Sequence, residues 1–224
     1  MPFAAGGGKE LVRLLSERQQ LKLATLATRL RLPARMTVFR EESTAEWIFI
    51  VAEGVLKSFR DLPSGKRRVM AFLFSDDIFG LAQNGQYVNS VQAITPVTLY
   101  RLPLDILLGT LRHDPELQFQ FICKITHELR EIMHQKIIVS RRDAMGRLAM
   151  LLRTLELHTK RRNGTAHIDI PMSRSDMASY LGLSLEAVSR ATKRLEREGL
   201  VHFIGLHEAR VVNRARFDKL ATEL

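Results

Sequence analysis

The chain has 224 residues, 46% of them hydrophobic, and a formal net charge of +10 with a pI near 10.2. That balance suits one large or two smaller soluble domains and favours an anionic partner, without choosing between nucleic acid and anionic lipid. The single cysteine, Cys123, rules out intrachain disulfides and any iron–sulfur cluster held by several of the chain's own cysteines, and fits a reducing, cytoplasmic location.

In chain order, the opening stretch MPFAAGGGKELVRLL carries charges where an export signal needs an apolar core, and no run of about 18 apolar residues occurs anywhere. Neither an export signal nor a membrane span is expected. LVRLLSERQQLKLATLATRL has apolar residues at helical spacing and reads as a helix capping the β-rich segment after it. Between Pro33 and Tyr100 the pattern becomes short β-type runs separated by turn residues: EWIFIVAEG ending at Gly54, VLKSFRD, the turn LPSGK, RRVMAFLF, then VQAI and VTLYRL either side of Pro96. Strands this short need neighbours on both sides, which predicts a compact β-roll or barrel over residues 1–114.

From Pro115 the period changes again. Ile122, Ile125, Leu129, Ile132, Lys136 and Val139 recur at alternating spacings of three and four, the seam of a coiled coil. Two readings stand, packing on the roll and a parallel homodimer seam, and Leu117, Phe121 and Ile125 form a second face suited to the roll. A dimerisation helix over residues 115–140 is the expectation, with a hinge near 139–143. AMGRLAMLLRTLELH is a further helix, and the basic KRRNG after it reads as a loop within a domain of residues 141–224. That last part is the more basic, with 16 Lys/Arg against 10 Asp/Glu, compared with 18 against 14 in residues 1–140.

The sharpest signal is SRSDMASYLGLSLEAVSRATKRLEREGLV. Ser173 and Asp176 form a capping box that starts a helix at Arg174. Gly182 supplies a tight turn, Ala178 allows close approach of a second helix, and Ser184 caps that helix. Leu185, Val188, Ala191 and Leu195 are expected on its buried face, which leaves Glu186, Ser189, Arg190 and Lys193 on the other. This is the layout of a helix-turn-helix. GLVHFI and ARVVN around GLHEA then read as a wing, whose His202, His207 and Arg210 suit either phosphate contact or plain solvation.

These residues, with IFIVAEGVLKSFRDLPSGKRRVMAFLFSDDIFGL and DAMGRLAMLL upstream, resemble the CRP/FNR family of bacterial transcription regulators, within it the FNR/FixK branch. The resemblance covers about residues 30–222 and implies an α+β protein: a β-roll like that of cyclic-nucleotide-binding domains, a dimerisation helix and a winged helix-turn-helix. It implies half-sites resembling TTGA in an inverted repeat, a homodimer on double-stranded DNA, contact with RNA polymerase, and activation. The branch's Glu-x-x-Ser-Arg motif is matched by Glu186, Ser189 and Arg190. Chemically, Arg190 can donate two bonds to guanine, Glu186 can accept from the amine of cytosine, and Ser189 can meet a neighbouring base. Lys193, Ser173 and Ser184 suit phosphate.

The chain departs from the family's cyclic-nucleotide branch. Leu81 stands where that branch has a ribose-binding Glu, and no charged residue lies between Asp77 and Arg101 to meet a cyclic phosphate. FREES also lacks the glycine usual in the roll. One cysteine cannot hold FNR's cluster. No cofactor is expected, as in FixK-type members that often have no known ligand. The alternative is a haem- or small-ligand-gated regulator, with His113, His127 and His134 as candidate axial ligands and Cys123 as a candidate thiol switch. No enzyme is expected: residues 33–100 hold no His for a cupin-type metal site. A plain interaction module would leave the Glu-Ser-Arg face unexplained.

Overall fold

A computed structural model describes residues 25–82, 84–119, 121–123, 125–126, 143–163 and 167–222, without the side chains of 160–163. The chain divides into two compact units, residues 1–60 with 72–132, and residues 61–71 with 133–224. The hinge expected at 139–143 falls, but for Asp143, outside the described residues.

The N-terminal part is built from two four-stranded antiparallel sheets. Strands β1 (Thr28–Leu32), β8 (Val97–Pro103), β3 (Trp47–Glu53) and β6 (Ile78–Phe79) form one in that order. β2 (Thr37–Phe39), β7 (Ser90–Ala93), β4 (Leu56–Asp61) and β5 (Arg67–Leu73) form the other. The helical reading of the N-terminal stretch fails at its end: Thr28–Leu32 pairs with Val97–Arg101 as an edge strand. Strand alternation explains why, because Leu30 and Leu32 share one face while Arg29 and Arg31 point to water. Positive φ at Glu42 makes the FREES turn without a glycine, at φ 67. Gly54 is different. Its φ is 91, and a Cβ there would collide with the Pro96 carbonyl oxygen.

Alternation along β3 and β8 buries both faces of the first sheet. On one face an aromatic cluster joins the two sheets: Phe39 stacks on Tyr87 at 3.7 Å between centroids, and Phe49 on Phe79 at 5.2 Å. The Tyr87 hydroxyl donates to the Trp47 carbonyl at 2.8 Å, and burial pushes its pKa up. On the other face Ile48, Ile78 and Leu102 pack under two helices, α1 (Leu104–Arg112), contributing Leu107, and α2 (residues 115–126 as described), contributing Leu117, Phe121 and Ile125. The expected second face of the seam helix is therefore present on the roll. Helix α1 is not among the elements expected from the sequence. Asp114 starts α2 by accepting from the Leu117 N–H at 3.0 Å.

The C-terminal unit is organised around α3 (Ala144–Asn163), whose Leu148, Leu151, Leu152 and Leu155 are fully buried. This helix continues through Lys160–Asn163, so the start of KRRNG is its last turns and not a loop. Nothing in those four residues breaks a helix, and the glycine comes only after them. Helix α4 (Arg174–Leu181) packs on α5 (Leu185–Arg197), and against α3 lie α5, α6 (Arg214–Thr222) and the β9 edge of a three-stranded sheet in the order β10 (Val201–Ile204), β11 (Glu208–Val211), β9 (His167–Asp169). Arg214 of α6 grips the buried Glu156 of α3 with both amino groups, a pairing that raises the pKa of Arg214. A buried carboxylate needs such a partner.

Candidate nucleic-acid interface

Helices α4 and α5 begin and turn as their sequence dictates. Ser173 Oγ accepts from the Asp176 N–H at 3.0 Å and donates to the Asp176 carboxylate at 2.8 Å. Gly182 takes φ 65 and ψ 36 and its N–H donates to the Ala178 carbonyl, closing α4 in the left-handed conformation that a Cβ would disfavour. Two residues on, Ser184 caps α5 by accepting from the Ala187 N–H at 3.1 Å. The inter-helix turn is thus fixed by Gly182 and Ser184.

Helix α5 is strongly two-faced. Val188, Ala191, Thr192 and Leu195 are buried, and Glu186, Ser189, Arg190 and Lys193 are exposed together on the opposite side. Among the described residues none of those four side chains is held in a hydrogen bond or ion pair. Their neighbours are: Arg194 Nε donates to Glu198 Oε1 at 2.7 Å, which holds the Glu198 carboxyl below the usual range, and Arg216 donates to the Glu198 carbonyl at the helix end. Free side chains on one face beside tethered ones at its end leave a rigid helix with an available polar surface.

One expectation for α5 is overturned. Leu185, expected on the buried face, is 55% exposed. It is the first residue of the helix, at the edge of the buried face between Thr192 and Ser189, and the first turn lacks the neighbours that bury later turns. The exposed face therefore carries an apolar side chain beside its polar ones.

The residues expected at phosphate differ in availability. Ser184 uses its oxygen as an acceptor only, whereas the Ser173 hydroxyl also donates to Asp176, so its proton is already committed. In the wing, His202 and Arg210 are exposed cross-strand neighbours, while His207 Nδ1 lies 3.1 Å from the Ile170 carbonyl. Strand β9 adds His167 on the other side of Arg210, and neither it nor α6 was foreseen. Asn213, accepting from the Arg216 N–H at 3.1 Å, is the capping signal that marks α6 in the sequence.

Elsewhere the expected site residues are only partly described. Ile122 is 54% exposed, as a seam residue would be, but Ile125 packs into the roll's helix-covered core. Leu129, Ile132, Lys136 and Val139 lie outside the described residues, as do His127 and His134. His113 ends α1 with Nδ1 2.8 Å from the Gly109 carbonyl. Cys123 is half-buried. Arg101, the first charge after Asp77, lies with its guanidinium 4.5 Å from the Trp47 ring centroid. Among the described residues no three His, Cys, Asp or Glu side chains converge as a metal site would need, and no helix is long and apolar enough to cross a membrane.

The same two parts are matched among known proteins. Residues 146–220 match the Crp-like helix-turn-helix domain, and residues 29–114 the cyclic nucleotide-binding domain. The transcriptional activatory protein AadR of Rhodopseudomonas palustris is 30% identical over 197 residues, covering 88% of this chain and 82% of that one. The nitrogen fixation regulation protein FixK of Bradyrhizobium diazoefficiens is 30% identical over 180 residues, covering 80% and 76%. The solved structure of FixK2 from Bradyrhizobium japonicum superposes with a TM-score of 0.80 at 28% identity, over 88% of this chain and 98% of that one. With the roll, the paired helices and the wing in place, and with relatives spanning nearly its whole length, the chain belongs to the CRP/FNR family of transcription regulators.

Proposed function

We propose that this regulator is a cytoplasmic homodimeric activator that reads an inverted repeat of the form TTGA-N6-TCAA through Glu186, Ser189 and Arg190, and contacts RNA polymerase from that site. The observation that carries the reading is the composition of the exposed face of α5: a carboxylate, a hydroxyl and a guanidinium, all exposed, on a helix whose other face is buried. A protein that needs only phosphate contacts has no use for a carboxylate facing the polyanion. A carboxylate there is intelligible if it accepts from a cytosine amine while Arg190 donates twice to guanine. The exposed Leu185 suits the methyl group of a thymine next to Ser189.

Lys193 and Ser184 then serve phosphate, with Ser173 as the starter of α4 and a lesser contact. Exposed Ile122 would open a dimer seam that continues through Ile125, Leu129, Ile132, Lys136 and Val139, with Ile125 also touching the roll. A two-fold dimer accounts for an inverted repeat, since each subunit meets one half-site. The domain plan on this reading is a roll over 1–114, a dimerisation helix over 115–140 and the DNA-binding domain over 141–224. Cyclic nucleotide is no part of it. Phe39, Phe49, Phe79 and Tyr87 cluster against one another within the roll, and the sequence from Ile78 to Tyr100 offers no cation for a phosphate.

The test is titration of a labelled TTGA-N6-TCAA duplex against one with both half-sites scrambled, followed by fluorescence anisotropy at fixed salt. The reading expects tighter binding to the first by about a thousandfold or more, the usual range for specific over non-specific sites. Equal affinity for the two would rule it out.

A further inference from the structure

Arg174, the first residue of α4, joins three elements of the DNA-binding unit. Its Nη1 donates to Thr192 Oγ1 of α5 at 2.7 Å. Its Cζ lies 5.2 Å from the centroid of the Phe203 ring on β10. The Thr192 hydroxyl gives its own proton to the Val188 carbonyl at 2.9 Å, so its lone pair has a fixed direction in which to meet the guanidinium. Glu196, one turn further along α5, accepts from the Phe203 N–H at 3.2 Å and so ties the same strand to the same helix. With these contacts Arg174 is half-buried, and that burial lowers its pKa while the Glu196 charge opposes the shift.

The junction borders the polar face of α5 without belonging to it. Thr192 is buried at 8% exposure, and three residues before it stands Ser189, exposed on the reading face. Helix α5 buries Val188, Ala191 and Leu195, apolar packing that resists separation but resists rotation about the helix axis much less, and its directional ties are those of Thr192 to Arg174 and Glu196 to the Phe203 N–H. A directional charge-assisted bond at the edge of that packing supplies what apolar contact lacks. Rotation matters here because base edges are read by bonds of fixed length and angle.

We propose that Arg174 is a positioning residue for base readout: bonded to Thr192 and seated on Phe203, it sets the rotation of α5 against α4 and the wing, and with it the reach of Glu186 and Arg190. It makes no base contact itself. The inference rests on the base-reading assignment above. The competing role for an arginine at the start of α4 is a phosphate contact, and the two roles predict different behaviour for a partner that DNA never touches.

The experiment measures the affinity of full-length wild type, Arg174→Gln, Thr192→Val and the double variant for the TTGA-N6-TCAA duplex and for a duplex with each half-site guanine changed to adenine, across a series of salt concentrations. Each single variant is expected to reduce the ratio of the two affinities by about tenfold, the double by no more than either single. Thr192→Val, which removes no cation, leaves the salt dependence unchanged. Melting temperatures confirm that the variants are folded, and the near-isosteric Thr192→Val carries the test by itself if Arg174→Gln is not. Full discrimination in Thr192→Val overturns the inference. So does an Arg174→Gln variant that weakens both duplexes equally and lowers the salt slope by about one, the mark of a lost phosphate contact. A wild type that binds both duplexes alike overturns the base-reading assignment, and this inference with it, and is distinguishable from either of those results.

Discussion

The roll and the recognition helix handle polar groups in opposite ways. In the roll, polar groups are drawn into the packing: Tyr87 bonds both the N–H and the carbonyl of Trp47, and Asn89 donates to Ser58 at 2.6 Å. Its aromatic rings Phe39, Phe49, Phe79 and Tyr87 pack on one another. On α5 the apolar residues are sequestered while four polar ones stand exposed on one face. The difference teaches where this molecule keeps its chemistry. On the reading proposed here the roll contributes packing, while α5 contributes a face of exposed polar side chains.

Breaking either side should give different signatures. The largest effect is expected in the roll. Phe39→Ala removes a ring that stacks on Tyr87 and neighbours Phe49 and Phe79, and is expected to cost about 3–5 kcal/mol in denaturant unfolding. Base discrimination should survive in whatever fraction stays folded. Arg190→Ala reverses that pattern: stability within about 0.5 kcal/mol of wild type, because the side chain is exposed, but a loss of about 1–3 kcal/mol of discrimination at the half-site guanine. Parallel melting and anisotropy measurements on the two variants would show whether stability and specificity separate as cleanly as the structure divides them.

A smaller effect sharpens the role of the caps. Ser173→Ala removes the acceptor for the Asp176 N–H and is expected to cost about 1 kcal/mol in unfolding, with affinity lowered for specific and non-specific DNA alike. The smallest expected effect is none. Millimolar cyclic AMP should leave both the melting temperature and the DNA affinity unchanged, as measured by differential scanning fluorimetry and anisotropy, since binding to the folded state would have to raise the melting temperature. A clear upward shift would show that the aromatic cluster can open around a ligand.

High pH gives an independent check on the roll. The folded-state pKa of Tyr87 is raised by burial, so the neutral ring contributes stability that is present below the unfolded tyrosine value near 10 and is lost as pH rises through the higher folded value. Tyr87→Phe should flatten that alkaline loss in a pH series of unfolding curves.

Legibility in the sequence tracked the locality of the signal. The helix pair could be read almost residue by residue because its determinants are local: a capping serine with an aspartate three residues on, a glycine at the turn, a second capping serine. Leu185 was misplaced because the first turn of a helix lacks the neighbours that bury later turns. The strands from Trp47 to Leu73 and from Ser90 to Leu102 were visible as apolar runs between turns, but β1, β2 and β6 were not. Strands of two or three residues carry too few positions to show a period, and Thr28–Leu32 is a strand only because β8 lies beside it. The role of Arg174 was invisible for a related reason. Its partners Thr192 and Phe203 are 18 and 29 residues away, and no spacing rule connects them.

The central claim, that α5 reads bases with Arg190, is tested most directly by removing one acceptor atom from the DNA. The affinity of wild type and Arg190→Ala is compared on the TTGA-N6-TCAA duplex and on the same duplex with 7-deazaguanine in each half-site, which lacks the N7 acceptor. The account predicts that wild type loses about tenfold or more on the modified duplex and that Arg190→Ala binds the two equally. The same loss in both proteins, or none in wild type, would contradict it.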